Sequence, residues 1–237
     1  MTDVDTAHDA GRPMTEGSTD GRDPVPAAVD WLLGIVTGLI GLALTGVGAV
    51  MYARVDRALL TDIIMSEEVE VNGLTPAEAV TAGVPFVDWF AAGLAVTGLV
   101  LVAVAAAFVV ARRRTRRRVA LEGGTTATFR ACAIYGAAVT ALVSFIPGAA
   151  VAGGGAAAYL YGDSGLRIGA VAGLVGWVLS VPLLVAVAGG LLAGADAIGQ
   201  LAGAVVLVGI IVVAELIALA INAGLGAAGG WLVDEFL

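Results

Sequence analysis

Residues 89–118 read WFAAGLAVTGLVLVAVAAAFVVARRRTRRR. The first 23 of them, Trp89 to Ala111, carry no charge. The last seven, Arg112-Arg113-Arg114-Thr115-Arg116-Arg117-Arg118, hold six of the twelve basic residues in the chain. An apolar run of that length reads as a helix that crosses a bilayer, where the backbone must satisfy its own hydrogen bonds. A dense arginine cluster at its end stays cytoplasmic, by the positive-inside bias. The topology of everything else is counted from this anchor.

Composition agrees. The chain is 59% hydrophobic and 14% charged, with a mean hydropathy of +0.97, which excludes an ordinary soluble domain with about a quarter of its residues charged. Net charge is −8, yet there is no lysine. Two explanations fit: GC-rich codon usage, which also favours Ala, Gly and Val, and a high-salt cytoplasm in which acidic surfaces stay hydrated. Cys132 is the one cysteine, so no intramolecular disulfide forms. His8, the one histidine, is too isolated for a metal or catalytic cluster.

Three segments follow. Residues 1–25 form a disordered acidic tail: Asp3, Asp5, Asp9, Glu16, Asp20 and Asp23 outweigh Arg12 and Arg22, with no apolar period. A docking role is the alternative reading of this tail. Residues 26–120 form a two-helix transmembrane hairpin. Its first span, Trp31 to Tyr52, carries a small-residue stripe of Gly34, Gly38, Gly41, Thr45 and Gly48, which lets a second backbone approach closely. The partner is the second span, where Gly93 and Thr97 sit one turn apart. The acidic loop between them, residues 53–86, is extracytoplasmic if the arginines are inside. Val55 to Ile64 reads as a short amphipathic helix, Asn72-Gly73 as a turn, and Thr75-Pro76-Ala77-Glu78 as a helix start with a capping box.

Residues 121–237 form a Gly/Ala-rich transmembrane bundle after a linker at Glu122–Thr126. A span from Phe129 to Ile146 carries Cys132, Gly136, Thr140, Ser144 and Gly148 at four-residue spacing, and Pro147-Gly148 breaks it. Ala149 to Tyr161 is apolar but only about 20 Å long as a helix, short of the roughly 30 Å hydrocarbon thickness. Ile168 to Leu192 is a span kinked near Pro182, and residues 193–202 are a loop holding Asp196. Gly203 to Ile221 is the last full span, ended by Asn222. A second short glycine-rich segment follows, Gly224 to Leu232. The fold class is all-α: a polytopic helix bundle of about five full spans plus two short half-helices.

Two stretches resemble known families. Gly73-Leu74-Thr75-Pro76-Ala77-Glu78, Trp89, the run Gly93 to Leu101, Phe108-Val109-Val110-Ala111 and the arginine cluster look like a two-helix membrane module of halophilic archaea, over roughly residues 31–118. Phe145-Ile146-Pro147-Gly148, Gly153-Gly154-Gly155, Tyr159-Leu160, Gly224, Gly226, Gly229-Gly230 and Trp231-Leu232 are similar to a Gly/Ala-rich haloarchaeal membrane domain of unknown function, over about residues 125–237. The resemblances imply a multi-pass archaeal membrane protein and no chemistry.

Three features bear on function. Shifting the chain by 72 positions places Gly154 on Gly226 and Tyr159-Leu160 on Trp231-Leu232. If the first short segment crosses, Arg130 and Arg167 both obey the charge rule and the copies form an inverted repeat, a transporter arrangement. If neither short segment crosses, the copies are parallel. Glu215 lies deep in a span, where a charge costs about 2.5–3.5 kcal/mol. With Asn222 on its face and Thr140, Ser144 and Ser180 across the bundle, it makes a candidate proton or cation site, or else a carboxyl hydrogen-bonded to a neighbouring helix. The cluster Arg112, Arg113, Arg114, Arg116, Arg117 and Arg118 is a topology and lipid-headgroup anchor. No nucleophile elbow, phosphate loop or metal-ligand spacing is present, so neither enzyme nor cofactor is expected. The expected partners are the lipid bilayer and other membrane proteins or further copies of this chain, with no nucleic acid. The leading expectation is a structural or interaction component of the cell membrane; a small transporter or channel is the alternative.

Overall fold

The structure, a computed structural model, describes residues 25–66, 73–143, 146–162 and 164–236. The acidic tail, the Glu67–Asn72 part of the loop, Ser144 and Asp163 lie outside the described residues. Eight helices and no strand occur among the described residues.

The hairpin forms as its sequence dictates. α1 runs Ala27–Arg54, and α3 runs Pro76–Glu122 without a break, with α2 (Arg57–Ser66) between them. Thr75 caps α3: its hydroxyl accepts from the Glu78 N–H at 3.3 Å. The Thr75 N–H and hydroxyl both donate to the Glu78 carboxylate, at 2.8 and 2.7 Å. Those two bonds hold Glu78 below the usual carboxylate range. At 1.5 Å per residue, α3 is about 70 Å long. It is therefore long and apolar enough to cross a bilayer, and it carries the arginine cluster onward as helix, a full turn and more past the apolar run.

α1 and α3 pack antiparallel along a seam of glycine. A Cβ on Gly41 would stand 2.6 Å from the Gly98 carbonyl, and one on Gly48 2.5 Å from the Ala91 carbonyl. Asp30, Gly34, Gly41 and Gly48 are the buried residues of α1 and share one face. The opposite face shows Leu32, Ile35, Leu39, Leu42 and Val50 to the surroundings. The seam on α3 is Gly98 rather than the expected Gly93. Gly93 lies on another face of α3, against Ala186 of a later helix, and Thr97 is buried with its hydroxyl on the Gly93 carbonyl.

The second half departs further from expectation. α4 (Phe129–Leu142) and α5 (Ala149–Tyr161) are about 21 and 20 Å long, so neither is a full span by length. They pair as an antiparallel hairpin, with Gly136 against Gly153 and Ala157. Its open end is closed by the Phe129 and Tyr161 rings, edge to face at 5.5 Å. α6 (Gly165–Val178) and α7 (Val181–Ala197) bend by 40° at Leu179-Ser180, with Pro182 in the first turn of α7, so the expected kink is present. α7 extends through Asp196, which the sequence reading placed in a loop.

α8 runs unbroken from Leu201 to Phe236. Asn222 does not end it, and the second short segment is the last third of one long helix. No proline stands there to remove a backbone bond, whereas Pro147 and Gly148, in the left-handed region at φ 85°, do break the first copy. Helix glycines alone did not suffice. Among the described residues, three helices are long and apolar enough to cross a membrane, and up to four spans result if α6–α7 counts as one bent span.

α8 docks its last third on α5 and α6 by backbone contact. Gly154 meets Gly226, Gly169 meets Gly226, and Gly165 meets Gly230. The Asp234 carboxylate accepts from the Gly165 N–H at 2.8 Å and so caps α6 from another helix. Across the linker at residues 123–128, α7 packs on α3, with Gly190 against Phe86 and Gly194 against the Ala82 carbonyl.

Candidate functional site

The most concentrated chemistry lies where α1 begins, the apolar run of α3 ends and α4 begins. Asp30, in the first turn of α1, is 4% exposed. Arg112 Nε donates to Asp30 Oδ1 at 3.0 Å, and Arg116 Nε donates to Asp30 Oδ2 at 2.8 Å. The Tyr135 hydroxyl of α4 donates to Asp30 Oδ1 as well. Arg112 Nη1 also donates to the Thr126 carbonyl at 2.6 Å, and Arg116 Nη2 to the Val25 carbonyl at 2.8 Å. Around this centre Phe108 and Tyr135 meet edge to face, and Val25 and Ala131 complete the apolar wall.

Local structure explains the arrangement. Arg112 and Arg116 are one helical turn apart and share a face of α3. Asp30 begins the same α1 stripe that Gly34, Gly41 and Gly48 continue, so the glycine seam delivers it to the arginines. An anionic side chain in a helix's first turn is also favoured by the helix dipole. Two guanidiniums and a phenol around one carboxylate leave no buried side-chain nitrogen or oxygen unsatisfied among the described residues. Removing one partner from such a buried pair typically costs about 3–5 kcal/mol.

The arginine cluster therefore divides. Arg112 is buried and Arg116 is half-buried. Arg113 lies over the Trp31 ring, 4.6 Å from its centroid. Arg113, Arg114, Arg117 and Arg118 are exposed. Arg167 stands over the Phe129 ring at 5.6 Å, beside Arg130 in sequence, so both belong to the same end of the bundle as the cluster.

The residues grouped around Glu215 are not brought together as one site. Glu215 is half-buried and accepts from Trp177 Nε1 at 3.0 Å, across from α8 to α6. Ser180 is exposed and donates to the Trp177 carbonyl at 2.7 Å, so it neighbours Glu215 only through that tryptophan. Thr140 donates to the Gly136 carbonyl at 3.1 Å and stands against Gly153, within the α4–α5 hairpin. Asn222 is half-buried, its carbonyl against Gly173. Ser144 lies outside the described residues. A cavity of about 660 Å³ opens elsewhere, between α2, α3, α7 and α8, and is lined by Leu74, Ala82, Phe86, Gly190, Ile198 and Leu207 among others.

Sequence reasoning passed over Asp30 and Tyr135. One signal was available: a single carboxylate one residue ahead of an uncharged span, at the end where two arginines four apart close the returning span. The fold-back of a hairpin makes those ends meet. No such pattern marked Tyr135, whose partner is 105 residues away.

No protein-family model matches this chain, and neither a curated protein nor a solved structure is similar to it.

Proposed function

We propose that this chain is a non-enzymatic, multi-pass structural or interaction component of the cell membrane, of the haloarchaeal kind that the two resemblances imply. The observation that carries the reading is the Asp30 centre. Its carboxylate is met by two arginines and a tyrosine from two other helices, and the arginines also hold the Thr126 and Val25 carbonyls, which suits a lock between helices. The arginine-rich end is cytoplasmic and residues 53–86 are extracytoplasmic; the grouping of Arg112–Arg118, Arg130 and Arg167 at one end supports this orientation. The exposed arginines anchor the chain among anionic headgroups, and the partners are the bilayer, other membrane proteins or further copies of the chain.

The transporter reading is kept alive by one feature. The bent α6–α7 pair places Trp177 at its break, and Trp177 reaches Glu215. Broken helices of this kind mark transporter sites. Purified protein in liposomes under an imposed proton or sodium gradient separates the two. The structural reading expects flux no greater than in protein-free liposomes. Flux that disappears in Glu215→Gln would replace it with the transporter reading.

A further inference from the structure

The cavity of about 660 Å³ between α2, α3, α7 and α8 falls within the roughly 300–1,000 Å³ of small-molecule sites. It exists because short side chains form its walls. α3 contributes Ala79, Ala82 and Gly83, and α8 contributes Gly203 and Ala204. A Cβ on Gly203 would meet nothing within 4 Å, and one on Gly83 only the tip of Leu60 at 3.8 Å. None of the described lining residues is charged, and Gln200 alone among them has a polar side chain. A buried water needs about two to four polar partners, so such a wall holds water poorly and suits hydrocarbon.

The position of the cavity says where that hydrocarbon comes from. Phe86 precedes Arg112 by about 39 Å of helix, so the cavity lies at the end of the bundle away from the arginine cluster. α2 packs on α3 and α8 packs on α7, but α2 and α8 share no extended contact with each other. Leu207 lines the cavity and is also 46% exposed, so the cavity wall runs into the apolar face that α8 shows outward at Val205, Val206 and Ile210. That exposed apolar face begins at Leu201, directly after the exposed Gln200. Gln200 thus marks the polar edge of the lipid-facing surface, and Leu207 lies about 10 Å farther along the helix.

We propose that this cavity seats the upper part of the hydrocarbon chain of a bilayer phospholipid, from the leaflet away from the arginine cluster, with the headgroup at Gln200. The inference rests on the reading of this chain as a multi-pass membrane protein. The lipid chain enters between α2 and α8 and lies against Leu74, Phe86 and Leu207. The Gln200 amide, a donor of two N–H groups, faces headgroup oxygens. The seated lipid bridges two helices that the protein itself leaves apart.

The test uses the full chain in phosphatidylcholine vesicles doped with a phosphatidylcholine that carries a diazirine in the upper half of one acyl chain. After irradiation, labelled residues are mapped by mass spectrometry. Label is expected on Ala79, which lines the cavity and is only 8% exposed, and on Phe86, as well as on the open surface at Val50 and Ile210. Gly83→Leu and Gly203→Leu each put a side chain into the space. Either variant, once shown to keep wild-type helicity, should lose the label on Ala79 and Phe86 and keep that on Val50 and Ile210. Label confined to Val50 and Ile210, or label on Ala79 that persists in both variants, overturns the proposal and leaves the membrane reading standing. Absence of label from Val50 and Ile210 as well would overturn both.

Discussion

Asp30 and Glu215 are both carboxylates set in apolar helices, and the molecule treats them in opposite ways. Asp30 is 4% exposed and is met by two guanidiniums and a phenol from two other helices. Glu215 is half-buried and is met by one indole N–H. The difference follows from position. Asp30 begins the glycine seam that draws α1 onto α3, so it is carried into the protein interior. The part of α8 that holds Glu215 displays Val205, Val206, Ile210, Val213 and Ile217 outward, and α8 packs closely only farther along, at Gly226, Gly229 and Gly230. A buried charge in this fold is a fastener between helices, and a half-buried one is a side-chain contact.

The largest effect should come from Asp30→Asn. It leaves two arginines facing a neutral amide in a water-poor site, and a loss of about 3–5 kcal/mol is expected. Unfolding of the purified protein in mixed micelles should show it, with Asp30→Glu retaining part of the stability. A loss no greater than that of Glu215→Gln would erase the contrast between the two carboxylates.

Next is the seam that delivers Asp30. Gly98→Leu drives a side chain into the Gly41 carbonyl and the Thr45 hydroxyl of α1, and should cost about 1–3 kcal/mol. Gly46→Ala, which meets nothing within 4 Å, should change stability by less than about 0.5 kcal/mol in the same assay. Equal effects at the two positions would mean that the seam does not hold the hairpin.

Glu215→Gln should matter less, since the amide oxygen still accepts from Trp177. The loss expected is within about 1 kcal/mol, the net worth of one hydrogen bond. Trp177→Phe, which removes the donor, should match it, as measured by the same unfolding titration. A far larger loss in either variant would give Glu215 a role that its one bond does not explain.

The smallest effect sits at the far end of α3. Glu78 titrates below the usual carboxylate range because Thr75 donates twice to its ionised form. Its contribution is complete above that range and disappears as pH falls through its own lowered value. Glu78→Gln should therefore leave stability less dependent on pH on the acid side and unchanged in sign elsewhere, as followed by unfolding midpoints across mildly acidic buffers.

What the sequence made legible was periodic or punctuated. The uncharged run at Trp89–Ala111, the glycine stripe of the first span, the capping box at Thr75–Glu78 and the break at Pro182 each have a local physical signature, and each reappears as a helix, a seam, a cap or a bend. Helix ends without proline were not legible. Glycine costs a helix only about 1 kcal/mol, so Gly224, Gly226 and Gly229 let α8 continue past Asn222. Long-range polar pairings were not legible either. Tyr135 meets Asp30, and Asp234 caps α6, only because the glycine seams bring distant segments within hydrogen-bond reach. The candidate site named from sequence rested on the cost of one buried charge. It found Glu215 and overlooked the carboxylate that the fold buries more deeply.

The pairing of Asp30 with Arg112 is tested most directly by a double-mutant cycle on Asp30→Asn and Arg112→Gln, with stability read by unfolding in mixed micelles. If the two side chains fasten α1 to α3, the double variant loses less than the sum of the single losses, by at least about 1 kcal/mol. Losses that simply add would show that the two residues act independently and that the hairpin is held without them.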